Sequence, residues 1–337
     1  MTVLITGGLG FIGSHTVVEL FKQGEDCLII DNLSTSQIDV LDRIESITHK
    51  KIPFLQMDLL DIQSLRNVFS QHDISAVIHF AGFKSVGESV RKPLIYYQNN
   101  LISTLNLLEV MQEFNVKKLV FSSSATVYGD LHTPPLKEEL PLSAPNPYGH
   151  TKLMLEQVLS DMASADESWR IAVMRYFNPI GAHESGKLGE MLHGIPNNLM
   201  PHVLKAANGE TGKLQVFGGD YDTSDGSCIR DFVHIMDLAS GHLQALKYVE
   251  THKGCEAFNL GTGVGYSVLD LIHTFQEVNS VKVPYDIVER REGDIVISVA
   301  DVSKANSLLD WHSQYDLKDM CCDAWKWYQT IKGLNVC

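Results

Sequence analysis

Tyr148 and Lys152, in the stretch NPYGHTK, stand four residues apart, so on a helix their side chains leave the same face. An ammonium beside a phenol stabilises phenolate and draws the tyrosine pKa down from its ordinary value of about 10, which makes the phenol a usable general base. A third group lies upstream. Ser124, in FSSSATVYG, carries a hydroxyl that can hydrogen-bond the same substrate oxygen. Tyr-x-x-x-Lys alone is a common pattern of helix surfaces, so its meaning depends on what positions it.

The strongest positioning unit is at the start of the chain. Val3-Leu4-Ile5 reads as a buried strand, followed by Gly7, Gly10 and Gly13 at three-residue spacing and then by Phe11, Ile12, Val17, Val18, Leu20 and Phe21 in a helical stripe. Such glycines permit a tight turn, close backbone approach to a phosphate and close helix-on-strand packing, while the helix N-terminus offers N–H groups and a positive dipole end. The next strand, Cys27–Ile30, ends in Asp31. A carboxylate there accepts hydrogen bonds from an adenosine ribose and repels a 2′-phosphate, which favours NAD over NADP. Its alternative role is a turn cap in DNLSTS.

The β–α alternation continues. Residues 52–57 read as a strand, with Asp58 either facing the adenine or capping a helix over 62–69. Residues 76–80 form the next strand, leading into Ala81-Gly82 and then Lys84, and residues 93–114 have the period of a long helix containing Asn99 and Asn100. A strand over 117–122 runs into Ser124, a helix starts at Tyr148, and 171–174 is a further strand. This order specifies an α/β fold, a Rossmann-like doubly wound parallel sheet with ligands at the carboxyl ends of its strands.

Beyond about residue 178 glycine and proline punctuate the chain, which suggests an NAD-binding domain over 1–178 and a smaller, mixed α/β substrate domain over 179–337, with elements crossing between them. Helices are expected at 201–207, 236–249, 268–277, 304–309 and 317–331, and short strands at 214–217, 257–260 and 283–288. With 337 residues, the chain can bury a sizeable core.

The 41 acids against 27 Lys and Arg give a net charge of −14, which disfavours nucleic acid and anionic membrane surfaces as partners. No apolar run reaches membrane-spanning length and the first residues already read as a core strand, so a cytoplasmic protein is expected. The six cysteines show neither C-x-x-C spacing nor a histidine partner at metal spacing, so no metal site is expected. Adjacent Cys321 and Cys322 read as small apolar fillers.

The landmarks TGGLGFIG, DNLSTS, HFAGFKSVGES, FSSSATVYG, NPYGHTK, RYFNPIGAH, GIPNNLMP, GSCIRDFVHIMDLA, NLGTGVGYSV and RREGD occur in one collinear order. They resemble those of the extended short-chain dehydrogenase/reductase family, and within it the UDP-hexose 4-epimerases, over nearly the whole length. The resemblance implies a resident NAD that is not consumed. Tyr148 takes the proton of the sugar 4-hydroxyl as C4 loses hydride, the 4-keto sugar turns about its pyrophosphate linkage, and hydride returns to the other face. Ser124 would orient the 4-oxygen, and Lys152 would hold the ribose hydroxyls and tune Tyr148.

By the same carry-over, NAD contacts fall on Gly7, Gly10, Phe11, Ile12, Gly13, Asp31, Asn32, Ser34, Asp58, Leu59, Phe80, Ala81, Gly82, Lys84, Asn99, Ser122, Tyr148, Lys152 and Phe177. The UDP-sugar would meet Lys84, Ser124, Tyr148, Asn178, Asn197, Asn198, Leu199, Gln215, Phe217, Arg230, Val268, Arg291, Asp294 and Ser298. Arg230 and Arg291 suit a diphosphate, because a guanidinium fork both neutralises and orients it. Their structural alternative is ion pairing with neighbouring acids, Asp231 for the first and Glu292 or Asp294 for the second. A homodimer through the helices at 93–114 and 148–161 is also implied.

Three departures matter. Nucleotide-sugar dehydratases of this plan carry an Asp-Glu pair where this chain has Ala125 and Thr126, which disfavours dehydration. Where some epimerases restricted to the glucose/galactose pair carry tyrosine, this chain aligns Ser298, so room is expected for an N-acetyl group and for UDP-GlcNAc/UDP-GalNAc interconversion. Phe232 and Gln215 also differ from common family residues. A redox-sensing NAD-binding regulator or scaffold is the competing reading, and the joint retention of Ser124, Tyr148 and Lys152 speaks against it.

Overall fold

The computed structural model describes residues 2–191, 198–291 and 294–334. Its centre is a seven-stranded sheet, in the spatial order Gly254–Leu260, Arg170–Tyr176, Lys118–Ser124, Ile74–His79, Thr2–Thr6, Cys27–Asp31, Phe54–Gln56, with every neighbouring pair parallel. Alternation of side chains divides the apolar residues between two cores. Val3 and Ile5 pack into one, with Val17 and Val18 of the helix Phe11–Lys22, while Leu4 joins Leu28, Val77 and Phe121 in the other. Chain order reverses between Thr2–Thr6 and Ile74–His79, so the connections leave that point in opposite directions and open a crevice there.

The strand read at 257–260 is the edge strand Gly254–Leu260 of this main sheet, and the helix Ile235–Thr251 before it packs against Phe11–Lys22. Late chain thus completes the early fold. A smaller sheet has Ile229–His234 at its centre, flanked by Gly265–Ser267, Ile297–Ser298 and Asn178–Ile180, and a separate parallel pair joins Leu214–Phe217 to Tyr285–Val288. The four short strands of the smaller sheet give no period-two apolar signal, and the helices Asp39–Thr48 and Val86–Arg91 are further elements that the sequence pattern does not mark. Of the adjacent thiols, Cys321 is buried as a filler should be, but Cys322 is exposed on the other side of its helix.

The long helix read at 93–114 contains a π-helical turn. Pro93–Tyr97 and Ser103–Glu113 are α-helical, and Gln98–Ile102 between them is wound with wider spacing. That turn lets buried Asn100 reach back to the chain after Ile74–His79: Phe83 N–H donates to Asn100 Oδ1 at 2.8 Å, and Asn100 Nδ2 donates to Phe83 O at 3.0 Å.

A buried polar network fixes the helix Pro147–Ala165 against the strand Lys118–Ser124. Arg175 donates to Glu156 Oε2 at 2.7 Å through Nη2, and through Nη1 to Tyr128 Oη and Glu138 O, both at 3.0 Å. The Ser123 hydroxyl donates to Glu156 as well, and Tyr128 donates to Asn259 Oδ1 at 2.6 Å. Removing the guanidinium would strand a carboxylate in the interior. Arg175→Met is expected to cost about 3–5 kcal/mol in urea unfolding, and the double change Arg175→Met with Glu156→Leu to recover much of that loss.

Candidate active site

The crevice forms a cavity of about 470 Å³. Its floor is the glycine turn. Gly7 has a left-handed φ of 69°, and a Cβ there would lie 2.7 Å from Ala81 N, while one on Gly13 would lie 2.4 Å from Gly7 O. The turn therefore packs backbone on backbone. The helix Phe11–Lys22 starts from Gly10 with no side-chain cap, leaving its first amides and the positive end of its dipole directed into the site.

Asp31 is a turn cap whose carboxylate also borders the cavity. It accepts from Leu9 N–H at 3.1 Å, Leu33 N–H at 2.9 Å and the Ser36 hydroxyl at 2.7 Å. Asp58 lines the cavity too, accepting from Asn32 Nδ2 and Leu60 N–H, each at 2.9 Å; the helix Ile62–Gln71 is capped instead by Asp61.

Opposite the glycine turn, Tyr148 and Lys152 enter the cavity from one face of the helix Pro147–Ala165. Ser124 sits outside the lining but hydrogen-bonds Tyr148, and its Oγ also donates to Thr126 Oγ1 at 3.0 Å. Lys152 is buried, donates to Ser122 O at 2.6 Å, and holds its ammonium 4.9 Å from the Phe121 ring centre. Burial pulls its pKa down to about 8, with the Glu156 carboxylate opposing that fall.

The expected lowering of the Tyr148 pKa is not what the protein does. Burial pushes the phenol up, and the hydrogen bond with Ser124 only partly offsets this. Desolvation of the phenolate sets the sign of this shift, and the Lys152 ammonium gives one of its hydrogen bonds to Ser122 O.

Of the sequence-predicted cofactor set, Gly7, Gly10, Phe11, Ile12, Gly13, Asp31, Asn32, Ser34, Asp58, Leu59, Phe80, Ala81, Gly82, Lys84, Asn99, Ser122, Tyr148 and Lys152 all line this one cavity. Phe177 does not; it is buried beside Val127, Tyr128, Leu136 and Ala300. Among the sugar-nucleotide set, Asn198 joins Lys84 and Tyr148 in the lining, whereas Asn197 lies outside the described residues.

Of the remaining members, Asn178, Arg230 and Ser298 lie on strands of the smaller sheet and the others are spread over neighbouring elements. Ser298 is in register with Arg230, Asn178 with Phe232, and Val268 follows the strand Gly265–Ser267. Gln215 and Phe217 share the exposed face of their strand, Leu199 starts a helix, and Arg291 lies 5.4 Å from the Phe217 ring centre. Arg291 pairs with Asp294 at 2.5 Å. Arg230 makes no such pair with Asp231, which is buried and accepts from Thr262, Gly263 and Ala300 amides instead. Glu190, Met191 and Tyr176 also line the cavity. Tyr176 could have been found from its place at a strand end; Glu190 and Met191 stand in a glycine-punctuated loop that carries no pattern. Among the described residues no group of His, Cys, Asp and Glu is placed to hold a metal ion.

A doubly wound sheet, a glycine turn at its switch point and a Ser–Tyr–Lys set on the facing wall define the extended short-chain dehydrogenase/reductase class. A family model described as GDP-mannose 4,6 dehydratase matches residues 4–324. A UDP-glucose 4-epimerase of Bacillus subtilis is 52% identical over 97% of this chain and 96% of its own. Two solved structures superpose over 99% of both chains: a UDP-glucose 4-epimerase of Stenotrophomonas maltophila with bound NAD and formylated UDP-arabinopyranose, at TM-score 0.97 and 46% identity, and one of Bifidobacterium longum with NAD+ and UDP, at 0.94 and 48%. The chain belongs to the UDP-glucose 4-epimerase family.

The lowered Lys152 pKa has a measurable consequence. Between about 8 and 10.5 the unfolded chain binds this proton and the folded chain does not, so stability from this group rises with pH across that window. Protein freed of nucleotide should gain up to about 3 kcal/mol relative to Lys152→Met over that range in urea unfolding, and a flat difference would exclude the burial effect.

Proposed function

We propose that this protein interconverts UDP-glucose and UDP-galactose by NAD-dependent inversion at sugar C4. The observation that carries the reading is the convergence on one cavity of Tyr148 and Lys152 with the whole glycine turn and Asp31, with Ser124 hydrogen-bonded to Tyr148 just behind the lining. The residues fit NAD: Gly7 and Gly13 let the turn pack backbone on backbone at the cavity floor, the uncapped helix start suits a diphosphate, and Asp31 suits a ribose. Bound there, NAD supplies the hydride acceptor for C4, a positive charge near the phenol, and the hydride that returns to the opposite face.

The chain's own residues then manage the proton. Ser124 orients the 4-oxygen, and Tyr148 Oη takes the hydroxyl proton as the 4-keto sugar forms and gives it back on return. Lys152 remains an ammonium below a pH of about 8, which favours the phenolate that this shuttle needs. Asn178, Asn198, Leu199, Phe217, Arg230 and Arg291 are read as holding the UDP moiety while the keto sugar turns about its pyrophosphate linkage. Residues 1–178 are read as the NAD lobe and 179–337 as mainly the UDP-sugar lobe, with Ile235–Thr251 and Gly254–Leu260 returning to the first.

N-acetylated substrates fit the same reading. Ser298 lies beside Arg230 on the neighbouring strand, and its side chain is small and half-buried, so it leaves volume where a tyrosine would take it. Dehydration does not fit, because Ala125 and Thr126 offer no carboxylate next to Ser124. We further read the protein as a cytoplasmic homodimer. Leu94, Ile95, Ile102, Leu105 and Met154 are 45–65% exposed on the helices at 93–113 and 147–165, an apolar surface that suits a four-helix interface. Each cysteine among the described residues is a free thiol, as a reducing compartment would keep it.

In a substrate panel, wild type should turn over both UDP-hexoses and both UDP-N-acetylhexosamines, and Tyr148→Phe neither pair. Ser298→Tyr should lower N-acetylhexosamine turnover roughly 10- to 200-fold with little effect on the hexoses; a parallel loss of both would remove Ser298 from the selectivity argument. Light scattering after gel filtration should give twice the chain mass, falling to one chain mass in the variant Leu94→Asp with Leu105→Asp. A monomeric wild type would refute the helix-pairing interface.

A further inference from the structure

The mouth of the cavity carries an ion pair that no sequence pattern announced. Glu190 lies in the loop before the helix Leu199–Ala207 and lines the cavity, with its side chain 19% exposed. Its Oε1 accepts from Lys84 Nζ at 3.2 Å and from Asn198 Nδ2 at 3.0 Å. These donors come from opposite parts of the chain. Lys84 follows the central strand Ile74–His79 and holds its ammonium 6.0 Å from the ring centre of Phe11, on the first turn of the glycine helix. Asn198 precedes the helix Leu199–Ala207.

The backbone that carries this carboxylate is held from behind. Trp327, on the helix Leu317–Lys332, donates from Nε1 to Glu190 O at 3.0 Å. Gly189 lies so close to the same indole that a Cβ would come within 2.5 Å of its ring carbons, and Arg43 lies 5.0 Å from the centre of the ring. A fixed anion therefore holds two donors that face a cavity suited to nucleotide phosphates. Any phosphate that draws on Lys84 or Asn198 must compete with it, and a neighbouring negative charge also repels an incoming diphosphate.

We propose that Glu190 is an internal competitor of the nucleotide diphosphates for Lys84 and Asn198, and that it loosens nucleotide binding and so sets how readily nucleotide is released. The inference rests on the reading above that Lys84 and Asn198 contact NAD and the UDP-sugar.

The test is titration calorimetry of NAD+ on nucleotide-depleted full-length protein and of UDP on NAD-loaded protein, for wild type, Glu190→Gln, Glu190→Ala, Lys84→Met and Lys84→Met with Glu190→Gln. An exposed lysine–carboxylate pair contributes little to folding, so the Glu190 variants should melt with wild type; where one does not fold, the other serves. The expected result is affinity tightened roughly three- to tenfold for NAD+ or for UDP in a Glu190 variant, with the gain for NAD+ largely lost in the Lys84→Met background. A residue that merely supported the fold would weaken binding when replaced. Unchanged or weaker affinity for both ligands overturns the proposal, and a wild type that binds neither ligand removes the functional reading and this inference together.

Discussion

The whole site depends on one contact in which no side chain takes part. The turn after the first strand rests directly on the chain after Ile74–His79, with Gly7 against Ala81 and Gly13 against Gly7, at distances that leave no room for a Cβ. Close packing at the sheet's switch point brings the start of the helix Phe11–Lys22 and the end of the strand Cys27–Asp31 to the same crevice. The same chain after Ile74–His79 is held from its other side by Asn100, which is why the helix after Pro93 widens into a π turn there. Relax the glycine contact and the opposing walls lose their common reference.

Electrostatics on the facing wall work against solvation. Lys152 and Tyr148 are both buried, and burial disfavours the charged form of each, lowering one pKa and raising the other. Glu156, one turn beyond Lys152, opposes this for the ammonium, and is itself held by Arg175 and Ser123. The group that hydrogen-bonds the phenol is a neutral hydroxyl, that of Ser124, which only partly offsets its burial. The cationic ring of a bound NAD would add its charge to that of Lys152, so the proposed general-base action of Tyr148 would depend on cofactor occupancy.

Much of this was legible in the residues because it repeats at short range. Glycine spacing, strand-end Asp31, Ala81-Gly82 and the Tyr148–Lys152 interval each mark a local geometry, and all fall on one cavity. What escaped is long-range or irregular. The edge strand Gly254–Leu260 reads as one more short β segment until its partner is known, and the central strand IRDFVH of the smaller sheet hides behind a charged pair. The Tyr148–Lys152 interval gives the wrong sign for the phenol because proximity along a helix does not report burial, and burial decides the sign of its shift. Glu190 has no motif at all; only folding brings it to Lys84.

In the proposed reaction C4 loses and regains the same hydride inside the protein while Tyr148 carries only the proton. This is tested most directly by supplying UDP-galactose deuterated at C4 in ordinary water and locating the label in the UDP-glucose formed. Deuterium is expected to be retained at C4, in inverted configuration, without added reductant. Loss of the label to solvent would contradict the proposed reaction.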